Sequence, residues 1–123
     1  MHILITGGCG FLGARLARTL LAKGQLGVGG APAQPITAIT LTDRAPPPAD
    51  LAADARVRFV GGDLNELLAG GQLPAADTAV VYHLAAAVSG ECEADFDLGM
   101  RSNYEATRHL LEACRVLQTR PTF

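Results

Sequence analysis

The sequence contains no tryptophan, and aromatic residues make up only 5% of it. It has one lysine, Lys23, and no run of basic residues, and its formal net charge is −2. A basic surface for nucleic acid or for an anionic membrane is therefore not indicated. No apolar run reaches the roughly 20 residues of a transmembrane helix, and no basic segment precedes the first apolar run as in a signal peptide. We expect neither nucleic acid nor a membrane as a partner.

Cysteine and metal-binding patterns are also scarce. Cys9, Cys92 and Cys114 are odd in number and show no C-x-x-C spacing, which fits a reducing compartment better than a disulfide scaffold. We therefore expect a cytoplasmic protein. His2 and His109 have no further ligand at metal-binding spacing, so no metal site is expected. With 123 residues, of which 49% are hydrophobic, the chain can bury one core, and we expect one domain over residues 1–123.

Glycine, in contrast, is abundant, and three glycines are regularly spaced near the start of the chain. The apolar run His2–Ile5 predicts a buried strand, and Phe11–Lys23 has helical periodicity. Between them, Gly7, Gly10 and Gly13 lie where a dinucleotide site needs a turn without a Cβ, close approach of a pyrophosphate, and tight packing of helix on strand. The spacing alone also fits a merely tight turn between strand and helix.

An acidic residue strengthens the case for a nucleotide. Asp43 ends the next apolar run, Ile36–Asp43, where a ribose-binding carboxylate belongs. It follows Gly7 by 36 residues instead of about 20, and the glycines and prolines of Gln25–Pro35 predict an inserted surface loop that accounts for the difference. We expect NAD to be preferred over NADP, because a 2′-phosphate would meet a like charge at Asp43 that the adjacent Arg44 offsets only in part.

Alternating strands and helices predict the fold. The first helix is expected to pack through a face made of Leu12, Leu16, Thr19 and Leu20. Apolar runs at Val57–Val60 and Thr78–His83 indicate two further strands, and Asp63 precedes a short helix at Asn65–Leu68, where it is a candidate N-cap. We predict an α/β fold, a Rossmann-type doubly wound parallel sheet with strand order 3-2-1-4 whose second half is missing.

The segment after the fourth strand is rich in small residues. His83–Glu91 leaves room for a dinucleotide, and a long helix is predicted from Cys92 to Leu117. The apolar stripe of this helix contains Phe96, Met100, Thr107, Leu110, Leu111, Cys114 and Leu117, and Asn103 lies on it. Asn103 is either a core amide with satisfied partners or a group that reaches the cofactor or supports catalytic groups. Ser89 either caps the helix or hydrogen-bonds to a substrate.

Two segments resemble a known family. The spelling Thr-Gly-x-x-Gly-x-x-Gly with Gly-Phe-Leu-Gly resembles the extended branch of the short-chain dehydrogenase/reductase superfamily, the NAD-dependent epimerases and dehydratases. Residues 83–103, together with Asp43 and the pair Gly62-Asp63, resemble the D-erythronate dehydrogenase family within that branch. Members of that family use NAD to oxidise the 2-hydroxyl of a four-carbon sugar acid, so the resemblance implies a short sugar acid as substrate.

The resemblance also implies site residues. The cofactor residues would be Gly7, Gly10, Phe11, Leu12, Gly13, Asp43, Asp63, Leu64, Leu84, Ala85, Ala86 and Asn103. Asp63 would contact the adenine, and Ser89 is a candidate substrate residue. A homodimer is a candidate assembly. The alternatives are a sugar-nucleotide epimerase or dehydratase of the same superfamily, and a non-catalytic module that senses a dinucleotide.

The catalytic residues of the superfamily are absent from this chain. The family mechanism uses a Ser, a Tyr and a Lys four residues after that Tyr, but Lys23 is the only lysine and follows no tyrosine. Pro121 is expected to stop the long helix, and Thr122-Phe123 resembles the first step of a fifth strand. We therefore expect a longer natural protein. Residues 1–123 alone should leave the outer edge of the fourth strand bare, bind nucleotide weakly and catalyse nothing.

Overall fold

The computed structural model describes residues 1–123 and contains a four-stranded parallel sheet. The strands along the chain are β1 (His2–Thr6), β2 (Gln25–Leu26), β3 (Gln34–Pro35), β4 (Ala38–Asp43), β5 (Val57–Gly61) and β6 (Thr78–His83). The main sheet has the order β5-β4-β1-β6. The short strands β2 and β3 lie outside it, so β1, β4, β5 and β6 are the four predicted strands, and they stand in the predicted order 3-2-1-4. The prediction of a Rossmann-like parallel α/β fold is confirmed.

Helices cover both faces of this sheet. They are α1 (Phe11–Lys23), α2 (Ala49–Ala52), α3 (Leu64–Ala69), α4 (Ser89–Ala94), α5 (Phe96–Gly99) and α6 (Ala106–Arg115), with a π-helical segment at Met100–Glu105. Because successive side chains of a strand point to opposite faces, β1 contributes to two separate cores. Ile3 and Ile5 pack with α1, whereas Leu4 packs with α3 and α6. None of the helices is both long enough and apolar enough to cross a membrane.

The buried face of α1 differs from the prediction. Ala14, Ala17 and Leu20 are buried, whereas Leu12 and Thr19 are exposed. The first turn of this helix lies against the glycine loop, since an added Cβ at Gly13 would lie 2.6 Å from the Gly8 Cα. The helix packs through Gly13, two alanines and Leu20, and the predicted face was wrong at its first and third members, Leu12 and Thr19.

The inserted segment Gln25–Pro35 lies outside the main sheet, as expected of a surface loop. It differs from a simple loop because β2 and β3 pair with each other in an antiparallel ladder. Gly24 ends α1 in the left-handed conformation with φ of 68°, which lets the chain reverse at once into β2. Ile36, directly after the insertion, is buried and returns the chain to the core.

The predicted single helix Cys92–Leu117 is wrong in its boundaries and its continuity. It begins at Ser89, is interrupted at Asp95 and ends at Arg115. Asp95 adopts an extended conformation and accepts a hydrogen bond from the Leu98 amide at 2.9 Å, so it caps a new helix. The predicted apolar stripe is only partly buried: Leu110 and Cys114 are buried, Thr107 and Leu117 are half-buried, and Phe96, Met100 and Leu111 are exposed.

The outer edge of β6 is partly paired. Thr122 forms a parallel bridge with Val80; its carbonyl accepts from the Val81 amide at 2.8 Å and its amide donates to the Ala79 carbonyl at 3.0 Å. Thr122 therefore sits as the predicted first step of a fifth strand. The expectation of a bare edge was wrong at these residues, because the end of the chain folds back along β6.

Candidate functional site

A cleft of about 350 Å³ opens beyond the carboxyl ends of β1, β4, β5 and β6. Eight of the twelve predicted cofactor residues line it: Gly7, Gly10, Asp43, Asp63, Leu64, Leu84, Ala85 and Ala86. They come from four separate stretches of the sequence, which the parallel sheet gathers at one edge. The other lining residues are Thr42, Arg44, Gly62, Asn65, Ala87, Glu91, Leu98, Ser102 and Ala106.

The glycine loop forms one wall of this cleft. Gly7 has φ of +64°, and a Cβ there would lie 2.9 Å from the Ala85 amide nitrogen, so only glycine fits. At Gly13 an added Cβ would lie 2.6 Å from the Gly8 Cα, inside the contact between α1 and the loop. At Gly10 it would approach only the Gly7 carbonyl, at 3.5 Å. The backbone at Gly10 is therefore open to an approaching group.

Asp43 stands at the end of β4, beside that loop. One carboxylate oxygen accepts from the Cys9 amide at 3.1 Å, and the other accepts from the amides of Arg44 at 2.8 Å and Ala45 at 3.4 Å. These donors fix the orientation of the carboxylate before any ligand binds. Burial, and secondarily the Asp43 charge, raise the pKa of the Cys9 thiol to about 11, so Cys9 stays a neutral thiol rather than a nucleophile.

Asp63 stands opposite, at the start of α3. Its Oδ1 accepts from the Asn65 amide at 3.0 Å, so the predicted N-cap is present. Its Oδ2 accepts from Nη2 of Arg44 at 2.6 Å. The Arg44 guanidinium, followed by the backbone amides at the helix start, holds the pKa of Asp63 below its usual value. The contact with an adenine, which the resemblance implies for Asp63, stays a prediction.

A chain of hydrogen bonds connects β1 and β6 to the helix that follows. The Thr6 hydroxyl accepts from the amides of Leu84 and Ala85, at 3.1 and 3.2 Å, so its proton is free to point at Nδ1 of His83, 2.6 Å away. His83 Nε2 then donates to the Thr107 hydroxyl at 3.0 Å, and that hydroxyl donates to the Asn103 carbonyl at 2.6 Å. The direction of every bond in this chain requires neutral His83 with its proton on Nε2.

Asn103 is exposed, so its assignment to a buried apolar stripe was wrong. Its Oδ1 accepts from the Ala87 amide at 2.8 Å, and its Nδ2 donates to the Ala87 carbonyl at 3.0 Å. The side chain thus pairs with both backbone groups of a residue that lines the cleft. Asn103 itself does not line the cleft, and its direct contact with a cofactor stays a prediction.

The remaining predicted residues lie at or beyond the margin of the cleft. Gly13 is buried beneath the glycine loop, and the side chains of Phe11 and Leu12 are 82% and 65% exposed. Ser89 is exposed as the first residue of α4 and caps nothing; the Val88 amide instead donates to Oε2 of Glu91 at 3.1 Å. The substrate role of Ser89 stays a prediction.

Comparison with known proteins agrees with this geometry. The model of the NAD dependent epimerase/dehydratase family matches residues 3–123. The chain belongs to the NAD-dependent epimerase/dehydratase family. Its relatives include the D-erythronate dehydrogenases of Cupriavidus necator, 52% identical over 98% of this chain and 36% of that protein, and of Haemophilus influenzae, 40% identical over 94% of this chain and 34% of that protein.

A solved structure shows the same fold. DesIV, a dTDP-glucose 4,6-dehydratase from Streptomyces venezuelae crystallised with NAD and TYD, superposes with a TM-score of 0.76 at 27% identity, over 98% of this chain and 37% of that one. The chain spans about a third of the length of the curated relatives named above.

Several residues that line the cleft of this epimerase/dehydratase family member were missed from the sequence. Arg44 was considered only for its charge beside Asp43, and its place in the cleft lining could have been found, because it directly follows that residue. Asn65 and Glu91 gave no such signal, since acidic and amide residues near a helix start are common in any protein. Ser102 reaches the cleft on the π-helical segment, whose register a regular helical periodicity does not give.

Because the folded structure needs a neutral His83 ring, the stability of the protein should depend on pH. Burial lowers the pKa of His83 below the ordinary value of 6.5, so the unfolded chain takes up a proton before the folded chain does. The free energy of unfolding should therefore be highest above about pH 6.5 and fall as the pH drops toward the folded-state pKa. Nitrogen NMR shifts of the ring, followed from pH 8 downward, test this: the ring should stay neutral, with Nδ1 proton-free and Nε2 protonated, to a lower pH than an ordinary histidine does, and a ring that becomes doubly protonated above about pH 6.5 would contradict the prediction.

Proposed function

We propose that the cleft binds NAD. The observation that carries this proposal is the Asp43 carboxylate, which three backbone amides fix in orientation beside a loop that has no Cβ at Gly7, Gly8 and Gly10. A carboxylate in this position accepts hydrogen bonds from both ribose hydroxyls, and the start of α1 favours the pyrophosphate. The open backbone at Gly10 gives the diphosphate room, and Asp63 lies within the same cleft to meet the adenine.

For the whole protein we propose an NAD-dependent dehydrogenase that oxidises the 2-hydroxyl of a short sugar acid, with D-erythronate as the first candidate. The support is the identity of 52% and 40% to two proteins named D-erythronate dehydrogenase. Bound NAD would supply the hydride acceptor. The 123 residues would bind and orient that acceptor through Asp43, the glycine loop and the segment Ala85–Ala87 after β6. Hydrogen bonds with the side chains of Thr6 and Asn103 fix the backbone of that segment.

The proton-transfer groups of such a reaction are not among these residues. Tyr104 is followed four residues later by Arg108, and Tyr82 by Ala86, so no Tyr-x-x-x-Lys pair exists. Arg108 does not replace that lysine, because its guanidinium has a fixed donor geometry and is paired with Glu112 at 3.1 Å. His83 is committed to its hydrogen-bond chain.

The alternative within the family is action on a nucleotide sugar, which the likeness to the dehydratase DesIV favours. A non-catalytic dinucleotide-sensing module is the alternative of a different class. Two further predictions accompany the proposal: a homodimer, which the molecular mass in solution tests, and a location in the cytoplasm.

The experiment that separates these functions is a substrate screen with the complete protein, since residues 1–123 span about a third of the length of the curated relatives. Four- to six-carbon aldonates and uronates are offered with NAD, and NADH formation is followed by its absorbance. We expect turnover of D-erythronate and slower or no turnover of longer acids. Activity confined to a nucleotide sugar would favour the epimerase or dehydratase alternative, and NAD binding without any turnover would favour the sensing module.

A further inference from the structure

The cleft contains one cationic side chain, that of Arg44, and three carboxylates, those of Asp43, Asp63 and Glu91. Arg44 directly follows the carboxylate that is proposed to hold the ribose. A guanidinium in this place is the group best suited to bind a 2′-phosphate, which distinguishes NADP from NAD. The choice between the two cofactors therefore depends on what the guanidinium already contacts.

The guanidinium contacts Asp63. Nη2 of Arg44 lies 2.6 Å from Oδ2 of Asp63, so the ion pair joins the end of β4 to the start of α3. The Asp63 end is the anchored one: its side chain is 26% exposed and its other oxygen is fixed by the Asn65 amide, whereas Arg44 is 66% exposed. Asp63 therefore sets the position of Arg44 rather than the reverse.

We propose that Asp63 determines cofactor specificity by withholding the Arg44 guanidinium from a 2′-phosphate. This inference rests on the proposed function, the binding of NAD in this cleft. Asp43 opposes the phosphate by its own charge, and Asp63 removes the one cation that could offset that charge. NADP can bind only if Arg44 leaves a short charge-assisted hydrogen bond, or if the phosphate is accepted with no cation beside it.

The variant Asp63→Asn tests this with little structural disturbance. Asparagine caps helices as well as aspartate does and keeps an acceptor oxygen for the adenine, but it carries no charge to hold Arg44. By titration calorimetry on the purified protein, we expect the affinity for NADP relative to NAD to rise by up to about fivefold, the scale of one charge pair near a surface. The further change Arg44→Ala in the same protein should cancel this rise, because the freed guanidinium is then gone.

A matched control is Asp50→Asn, which breaks an exposed pair with Arg18 of the same 2.6 Å length outside the cleft and should leave the ratio unchanged. If the unaltered protein binds no NAD, the proposed function is wrong. If it prefers NAD and Asp63→Asn keeps that preference in full, only the present inference is wrong. The present inference is also wrong if the double variant binds NADP relative to NAD as well as Asp63→Asn does, since Asp63 would then act on the phosphate by its own charge and not through Arg44.

Discussion

Replacing Gly13 by Ala should lower the free energy of unfolding by about 3 kcal/mol or more, at the upper end of overpacking effects. The added Cβ would lie 2.6 Å from the Gly8 Cα and closer still to the Gly7 carbonyl, so backbone rather than a flexible side chain must move. Because α1 and the glycine loop would separate, binding of NAD should be lost as well. Urea unfolding measures the first effect and titration calorimetry the second.

Gly10→Ala is the matched control for that variant. An added Cβ at Gly10 has one neighbour, the Gly7 carbonyl at 3.5 Å, and the residue has an ordinary φ of −70°. We expect the stability to change by less than about 1 kcal/mol, because no overpacking follows. The affinity for NAD should nevertheless fall strongly, because the methyl group would enter the space proposed for the diphosphate. Equal loss of stability in both variants would contradict the distinction between the two glycines.

Replacing Asp43 by Ala should weaken NAD binding by about 10- to 100-fold, the range for hydrogen bonds to a charged group. NADP should lose much less affinity, since its 2′-phosphate no longer meets a carboxylate, so the preference for NAD should relax. Titration calorimetry with both cofactors measures the two affinities. Unchanged NAD affinity would overturn the placement of the ribose at this residue.

Two measurements separate the loss of a ribose contact from unfolding of the variant and from the change in net charge. Asp43→Ala also leaves the amides of Cys9 and Arg44 without their acceptor, so thermal unfolding must show that the variant is folded at the temperature of the titration. Asp97→Ala changes the net charge equally, and Asp97 is exposed and does not itself line the cleft. That control should bind NAD as the unaltered protein does.

Much of the candidate site could be predicted because its parts are local. The glycine loop follows a strand and precedes a helix, so Gly7 and Gly10 are placed by their immediate neighbours. Asp43 ends an apolar run, and the parallel order brings the ends of β1 and β4 to the same edge. What failed was the stretch after β6, where Asp95 starts a new helix and a π-helical segment shifts the register of Ser102 and Asn103.

The sequence by itself determined the strand order, the position of the glycine loop and the candidate ribose carboxylate, because these follow from short apolar runs and from residues adjacent to them. Only the tertiary structure decided which side chains meet across the cleft. Arg44 and Asp63 are 19 residues apart, and His83 and Thr107 are 24 apart. No periodicity encodes such pairs, since they depend on how the sheet and its covering helices place separate chain segments within hydrogen-bond distance.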